Sequence, residues 1–175
     1  MDHTRLTLCA CLLTGVAFSA RAEPLAEFEL IVNRCKQAFD TRASVEVVYA
    51  EPAQSWVKRI HAPAVISYDV KKTDSLVSPL VAYLEVIEAT AAERGVNEAA
   101  AASLNASLED KAMRSTRRVN FAYRDNTWTL VDGQQWSEYK LKRGDPFSKQ
   151  SGPLLLTRQD FQKASLVWRR CLTGN

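Results

Sequence analysis

The sequence predicts an α+β domain in which a curved antiparallel sheet, a meander of about four to six strands, packs against an N-terminal and a C-terminal helix. Two observations carry this prediction. Apolar residues recur at three- and four-residue steps near both ends of the chain, which is typical of amphipathic helices. Between the ends the pattern changes to alternation and short β-branched runs, which indicates strands.

The two helices are predicted from their apolar stripes and their first turns. The N-terminal helix is expected over residues 24–39, and Pro24 suits its first turn because an amide at that position has no intrahelical partner. The C-terminal helix is expected to begin at Thr157, whose spacing from Asp160 resembles a capping box. Its apolar stripe continues to residue 171.

The first strands are predicted at Ser44–Tyr49 and Ala64–Val70. The run Leu76–Ala89 would also suit a helix, but its β-branched content and its proline favour a strand bent near Ser78-Pro79. The polar stretch Lys71–Ser75 would then close the turn between two strands, because threonine, aspartate and serine side chains bond their own backbone.

A hairpin is predicted next, with Arg118–Arg124 and Thr127–Val131 as its strands. Asp125-Asn126 would form its turn, because both side chains tolerate a left-handed backbone. Asp132-Gly133 is a second turn signal, and it leads into a further strand, Gln135–Leu141.

Two segments fall outside the predicted meander. Glu93–Met113 is rich in alanine and has few large apolar residues, so we expect a surface helix or a mobile excursion between two strands. Arg143–Pro153 contains glycine and proline and is expected to be a loop. The order of a helix followed by a curved meander resembles the cystatin-like and nuclear-transport-factor-like folds. This resemblance lies in element order alone and implies no functional residue.

Residues 1–22 match a secretory signal peptide. A basic start with Arg5 precedes an apolar run over residues 6–18, and Ala20-Arg21-Ala22 is a small-residue cleavage pattern. The alternative, a lipoprotein cut before Cys11, would leave almost no apolar core upstream. We therefore expect a periplasmic or secreted protein with a single α+β domain over residues 23–175 and no transmembrane segment after cleavage.

The charge of the mature chain gives no argument for nucleic acid as a partner. Removing Arg5, Arg21 and Asp2 from totals of 23 basic and 20 acidic side chains leaves 21 and 19. Binding to nucleic acid or acidic lipid requires a clustered basic face. We expect another envelope or secreted protein as the partner instead.

Cys35 and Cys171 are the two cysteines that remain after signal cleavage. Both fall on the apolar stripe of a predicted helix, in a compartment where thiols oxidise. We expect a disulfide between them, because a metal or redox site would need further ligands or a Cys-x-x-Cys spacing.

The sequence predicts no catalytic residue, metal site or cofactor. His61 is the one histidine of the mature chain, and no nucleophile motif of the Gly-x-Ser-x-Gly type accompanies it. The mature glycines are isolated, so no phosphate-binding loop is expected. A dyad of Ser75 with Lys71 or Lys72 is disfavoured, because a lysine in a solvated turn stays protonated.

Aromatic residues give the one mild indication of a binding role. A sheet with one face covered by helices leaves its other face available, where aromatic side chains would suit recognition of a protein or glycan. Tryptophan is highly buried on average, however, which favours the interpretation that most of these residues belong to the core. The candidate binding surface comprises Trp56, Trp128, Trp136 and Tyr139 together with the loop residues Thr73, Asp74 and Ser75.

These features favour an exported, non-catalytic envelope protein that binds a partner protein or ligand, as an inhibitor or an immunity-type module does. Two alternatives stay open. One is an enzyme without a recognisable motif that uses acidic residues or His61 in a cleft between sheet and helix. The other is a structural or assembly accessory of the cell envelope.

Overall fold

A computed structural model describes residues 23–149 and 152–173 of the chain. The predicted signal peptide at residues 1–22 lies outside these described residues. Within them, every strand joins one open, curved antiparallel sheet, so the α+β class is confirmed.

The described helices are α1 (Pro24–Asp40), α2 (Glu98–Ser103), α3 (Arg158–Gln162) and α4 (Leu166–Thr173). A single 3-10 turn, Glu51–Ala53, joins the first two strands. The strands are β1 (Val45–Ala50), β2 (Ser55–His61), β3 (Val65–Lys72), β4 (Leu80–Gly95), β5 (Ala112–Arg124), β6 (Thr127–Lys140), β7 (Ser148–Lys149) and β8 (Leu154–Leu156).

The strand order is β1-β2-β4-β5-β6-β7, and β3 and β8 add to β4 and β6 respectively. Eight segments of the described chain therefore pair as strands, more than the four to six predicted. β7 and β8 have two and three residues, which is too short to show an alternating pattern in the sequence. β7 and β8 lie at the edges of the predicted meander. β2 was not predicted either, and it lies inside the sheet between β1 and β4.

The predicted disulfide between Cys35 and Cys171 is confirmed, with an S–S distance of 2.07 Å, and it joins α1 to α4. Both cysteines are fully buried. Arg34 adds a second tie between these helices, because its Nε and Nη2 donate to the carbonyls of Cys171 and Leu172 at 2.9 and 3.2 Å. These bonds satisfy carbonyls that the end of α4 leaves without intrahelical partners.

The hydrophobic core lies between one face of the sheet, the core face, and the helices α1, α3 and α4. Phe28 of α1 is at its centre, with ring centroids 5.9 Å from Tyr68, 5.3 Å from Phe121 and 4.8 Å from Trp128. In the middle of β4, Ala82, Leu84 and Val86 are buried, and in β5 Val119 and Phe121 are buried. This alternation is the period expected of a strand covered on one face. The intervening residues lie on the opposite face, the outer face.

α2 covers one end of the outer face. A Cβ atom at Gly95 would lie 2.4 Å from the backbone nitrogen of Ala101, so the glycine permits close contact between β4 and α2. Lys58 of β2 donates from Nζ to the carbonyls of Ala102 and Leu104, at 2.9 and 2.6 Å. The end of α2 is thereby fixed to the sheet.

The prediction for Glu93–Met113 is only partly right. The helix is six residues long. Residues 93–95 continue β4, residues 112–113 begin β5, and residues 104–111 form a loop. Asn97 caps α2 by accepting from the backbone of Ala100 at 2.8 Å. Pairing across the sheet therefore outweighs the helical propensity at both ends of this segment.

The turn predicted at Asp132-Gly133 is wrong, because β6 runs through it as one strand. The register with β5 shifts between residues 120 and 121, and Val131 is the extra residue of a β-bulge. Gly133 allows α3 to pack closely against β6, because a Cβ atom at this position would lie 2.6 Å from Cζ of Phe161.

The predicted C-terminal helix is broken into α3 and α4. The start at Thr157 is confirmed. The backbone nitrogen and the hydroxyl of Thr157 both donate to Oδ2 of Asp160, each at 2.7 Å. Ser165 lies directly before α4. Serine is favoured at this position before a helix and is disfavoured in the interior of a helix.

The other predicted turns are confirmed, and the ambiguous run is a strand rather than a helix. The strand begins at Leu80, however, so the prediction of a strand from Leu76 with a bend near Ser78-Pro79 is wrong for its first four residues, which belong to the turn. Asp125 and Asn126 join β5 to β6 with φ of 50° and 59°. The Lys71–Ser75 stretch ends β3 and begins the turn toward β4, and the backbone nitrogen of Thr73 donates to the carbonyl of Pro79 at 2.9 Å. No helix in residues 23–149 and 152–173 is both long and apolar enough to span a membrane.

Candidate functional site

A groove crosses the outer face of the sheet at the end away from α2. Its floor comes from alternate residues of β4 and β5, and its walls come from β3 and β6. The enclosed volume is about 360 Å³, within the range of about 300–1,000 Å³ typical of ligand pockets. The residues that line its floor and walls on this face include Asp69, Lys71, Val81, Tyr83, Asn120, Ala122, Val131 and Asp132.

A second depression of about 350 Å³ adjoins the first beyond β6. Asn120, Val131 and Asp132 line both depressions, which therefore adjoin, and the two together are called the outer groove. Its far wall is formed by β8 and the start of α3, from Leu155 to Arg158. The outer groove therefore extends across the sheet from β3 to β8.

Two local features of the sequence create this depression. Ala122 carries a small side chain opposite Val81 of β4, and it is 3 % exposed although none of the described helices covers this part of the face. Adjacent residues of a regular strand point to opposite faces, yet Val131 and Asp132 both line the groove. The bulge at Val131 explains this arrangement, because an extra residue re-aims the side chains of its strand.

The polar side chains of the outer groove are paired with one another. Asn120 donates from Nδ2 to Oδ1 of Asp132 at 2.7 Å, and Lys71 lies 3.4 Å from Oδ2 of Asp69. Arg124 donates from Nε to the hydroxyl of Ser78. The groove thus presents both positive and negative side chains. An occupant would be recognised through shape and hydrogen bonds more than through a net electrostatic attraction to one sign of charge.

Arg118 forms an ordered stack beside the groove on the outer face. Its guanidinium lies 4.6 Å from the ring centroid of Tyr83 and 6.0 Å from that of Trp136. Its Nε and Nη2 both donate to Oε2 of Glu85, at 3.0 and 2.8 Å. The stack fixes Tyr83, which is also part of the groove floor.

Apolar side chains stand exposed along the rim of the outer groove. Val131 is 47 % exposed, and Leu155 on the far wall is 71 % exposed. A group of exposed apolar residues bordered by polar ones is typical of an interaction surface.

Trp136 and Trp56, two of the predicted aromatic residues, lie on the outer face. Trp136 contacts Arg118 near the groove. Trp56 is paired with Gly95 at the α2 end of the sheet, and its ring centroid is 5.8 Å from that of Tyr49. The two tryptophans therefore occupy separate parts of this face.

Trp128 and Tyr139 lie on the side of the sheet that faces the helices. The ring of Trp128 packs on Phe28, and its Nε1 donates to the carbonyl of Pro24 at 2.7 Å. Tyr139 pairs with Met113, in the series of β5 residues that alternates onto the core face. The four aromatic residues thus do not form one surface.

The side chains of the predicted loop residues mainly stabilise the turn. Thr73 donates from Oγ1 to the carbonyl of Ser78, and it accepts from the backbone nitrogen of Ser75 at 3.2 Å. Oγ of Ser75 accepts from the backbone nitrogen of Ser78 at 3.1 Å, while Asp74 is exposed. Ser78 also lines the groove, so this loop borders it. Whether the loop contacts a partner stays a prediction.

His61 is held between three strands. Its Nδ1 lies 3.2 Å from Oγ1 of Thr90, and its Nε2 lies 3.2 Å from Oε1 of Glu46, which also accepts from Arg59. Burial raises the pKa of Glu46, but the hydrogen bonds and charges of His61 and Arg59 outweigh burial and hold this pKa below its usual value. The side chain of His61 is 11 % exposed, so this cluster chiefly joins β1, β2 and β4.

Metal ligation has no candidate in the described part of the chain, where no group of three or more histidine, cysteine, aspartate and glutamate side chains is placed to hold an ion.

The residues of the outer groove were not predicted as a site. One signal for them is present in β5, where the apolar Val119 and Phe121 alternate with the small or polar Asn120 and Ala122. This alternation assigns Asn120 and Ala122 to the outer face. The bulge that adds Val131 and Asp132 has no signal of this kind, because Asp132-Gly133 is equally typical of a turn.

Comparisons with models of protein families, with curated proteins and with solved structures found no match to this chain. The resemblance to the cystatin-like and nuclear-transport-factor-like folds therefore stays one of element order. The function is inferred from the geometry of the site itself.

Proposed function

We propose that this protein is exported and binds a partner protein in the cell envelope through the outer groove, without catalysing a reaction. The observation that carries the proposal is the outer groove itself. It comprises two adjoining depressions on the face that α1, α3 and α4 leave open. Val131 is exposed where they meet, and Leu155 is exposed on the far wall.

Export is supported by the disulfide. Disulfides form and persist in oxidising compartments, and Cys35 and Cys171 join two helices in the core of the domain. The predicted signal peptide at residues 1–22 gives the route to such a compartment.

A protein partner is supported by the shape and chemistry of the groove. Two adjoining open depressions, one reaching β3 and the other β8, suit an extended or protruding segment of another protein. Apolar side chains of the partner would pack against Val81, Val131 and Leu155, while the Asn120–Asp132 pair would offer polar contacts. An inhibitor or immunity-type protein that neutralises an envelope enzyme would use such a surface.

Partner capture tests this proposal. The mature protein is immobilised and incubated with envelope extract, and the bound proteins are then cross-linked to it. Two variants block the groove: Ala122→Trp fills its floor, and Leu155→Asp places a charge on an exposed part of its wall. Ala99→Trp, at an exposed position of α2, is the matched control.

The wild type and Ala99→Trp should recover the same partner, and both groove variants should lose it. Leu155→Asp keeps the test decisive if Ala122→Trp proves unstable, because Leu155 is 71 % exposed. Recovery of no specific partner, or equal recovery by all four proteins, would overturn the proposal.

A further inference from the structure

β1 is the terminal strand of the sheet, and among the described strands it pairs with β2 alone. The backbone nitrogen of His61 donates to the carbonyl of Ser44 at 2.8 Å, which fixes the phase of the hydrogen-bond ladder between the two strands. The N–H and C=O groups of every second residue counted from Ser44, namely Glu46, Val48 and Ala50, therefore point toward β2. Val45, Val47 and Tyr49 therefore direct their N–H and C=O groups to the open edge.

This edge lacks the devices that usually keep a free strand from pairing. Proteins protect such strands with lysine, proline, bulges or short length. β7 and β8 are short, and β3, whose second edge has no partner among the described strands, ends in Lys71-Lys72. β1 has six residues, VEVVYA, and its one charge, on Glu46, is engaged by His61 and Arg59.

Two large apolar side chains of β1 are exposed. Val45 and Tyr49 are 49 % and 47 % exposed, and both alternate onto the outer face together with Val47. Tyr49 is held by an edge-to-face contact with Trp56. An edge that is both apolar and unpaired in its backbone is suited to adding another strand.

We propose that two copies of this protein pair through their β1 edges, antiparallel, about a two-fold axis at Val47. This register sets Val45 of one copy opposite Tyr49 of the other, an aromatic and β-branched pair of the kind that stabilises sheets. The residues with outward backbone groups then face one another, so their hydrogen bonds are satisfied. Glu46 lies opposite Val48, so no like charges meet.

A second copy fits this edge because the sequence of β1 is complementary to itself in that register. A two-fold axis also closes the assembly at a dimer. The interface uses the edge of the sheet farthest in strand order from β8, so it leaves the outer groove open. The proposal is therefore independent of the proposed partner-binding function.

Sedimentation of the purified, disulfide-bonded protein over a range of concentrations tests the dimer. The wild type should reach twice the monomer mass. Val47→Pro removes the N–H at the axis without removing a bond to β2, and Tyr49→Lys adds a charge to the edge, so both should sediment as monomers. Val65→Lys, at a 61 % exposed position of β3, should remain a dimer.

Cross-linking tests the register. The Cα atoms of opposed, hydrogen-bonded residues are about 5.5 Å apart, a distance that a disulfide spans, so Val47→Cys should form a covalent dimer under oxidising conditions. Val65→Cys should not. A wild type that stays monomeric at every concentration would overturn the proposal. So would a dimer that persists in Val47→Pro and Tyr49→Lys while Val47→Cys fails to cross-link.

Discussion

The indole nitrogen of Trp168 donates a hydrogen bond to Oε2 of Glu88 at 3.1 Å. The other carboxylate oxygen of Glu88 binds Nη1 of Arg42, and the side chains of that ion pair are only 14 % and 13 % exposed. The guanidinium of Arg117 lies 5.0 Å from the centroid of the Trp168 ring. One carboxylate of β4 therefore ties α4 and the chain after α1 to the edge of the core.

We expect Glu88→Ala to lower the free energy of unfolding by about 3–5 kcal/mol, because it leaves the largely buried Arg42 charge without its partner. Urea unfolding followed by tryptophan fluorescence measures this loss. Glu85→Ala is the matched control, since Glu85 pairs with an Arg118 side chain that is 41 % exposed, and it should cost less than about 1 kcal/mol. Equal losses in the two variants would contradict the structural role of Glu88.

The disulfide should supply a large part of the stability. It closes a separation of 136 residues, for which the chain-entropy relation gives about 4–5 kcal/mol. We expect the double variant Cys35→Ala with Cys171→Ala to lose a stability of this order. Arg34→Ala, which removes the second tie to α4, should lose less, about 1–3 kcal/mol. A double variant as stable as the wild type in urea would refute this prediction.

The elements that follow from the sequence are those with a strong period or a specific turn. The stripe of α1 and the alternation of β5 each identify a buried face, and Asp125-Asn126 fits a turn with positive φ. The Cys35–Cys171 bridge followed from elimination, because two cysteines allow one intramolecular pair. In each case a local rule agrees with the global fold.

The elements that were missed depend on contacts between distant residues. Gly133 is typical of a turn in isolation, but it lies in β6, where it pairs with Val119 and Leu156 and where Phe161 packs against it. The outer groove requires β3, β5 and β6 to be brought together, with a bulge at Val131 and a small residue at Ala122. A tertiary arrangement of this kind has no period in the sequence.

Gly133→Ala should destabilise the protein by about 1–3 kcal/mol through overpacking. A Cβ atom at this position would lie 2.5 Å from the carbonyl oxygen of Arg118 and 2.6 Å from Cζ of Phe161, so the strand or α3 must move. Gly152→Ala is the control, because no atom lies within 4 Å of a Cβ added there, and it should change stability by less than about 0.5 kcal/mol. Thermal or urea unfolding of the two variants gives the comparison, and equal stabilities would mean that α3 does not pack closely on β6.

Glu46 should make the protein less stable in acid. Burial raises the pKa of this carboxyl, but His61 and Arg59 together hold its pKa below the usual 4.5 in the folded state. A carboxyl with a depressed pKa stabilises the fold above its unfolded pKa, and this contribution is lost as the pH falls through the folded pKa. We therefore expect the free energy of unfolding, measured in urea, to decrease as the pH is lowered below about 4.5. The decrease should be less steep in Glu46→Gln, which cannot titrate.

Asp160→Asn is a useful comparison, because hydrogen bonds from Thr157 also lower the pKa of that carboxyl. Identical pH slopes for the wild type and Glu46→Gln would show that the His61–Glu46–Arg59 cluster does not contribute to acid sensitivity.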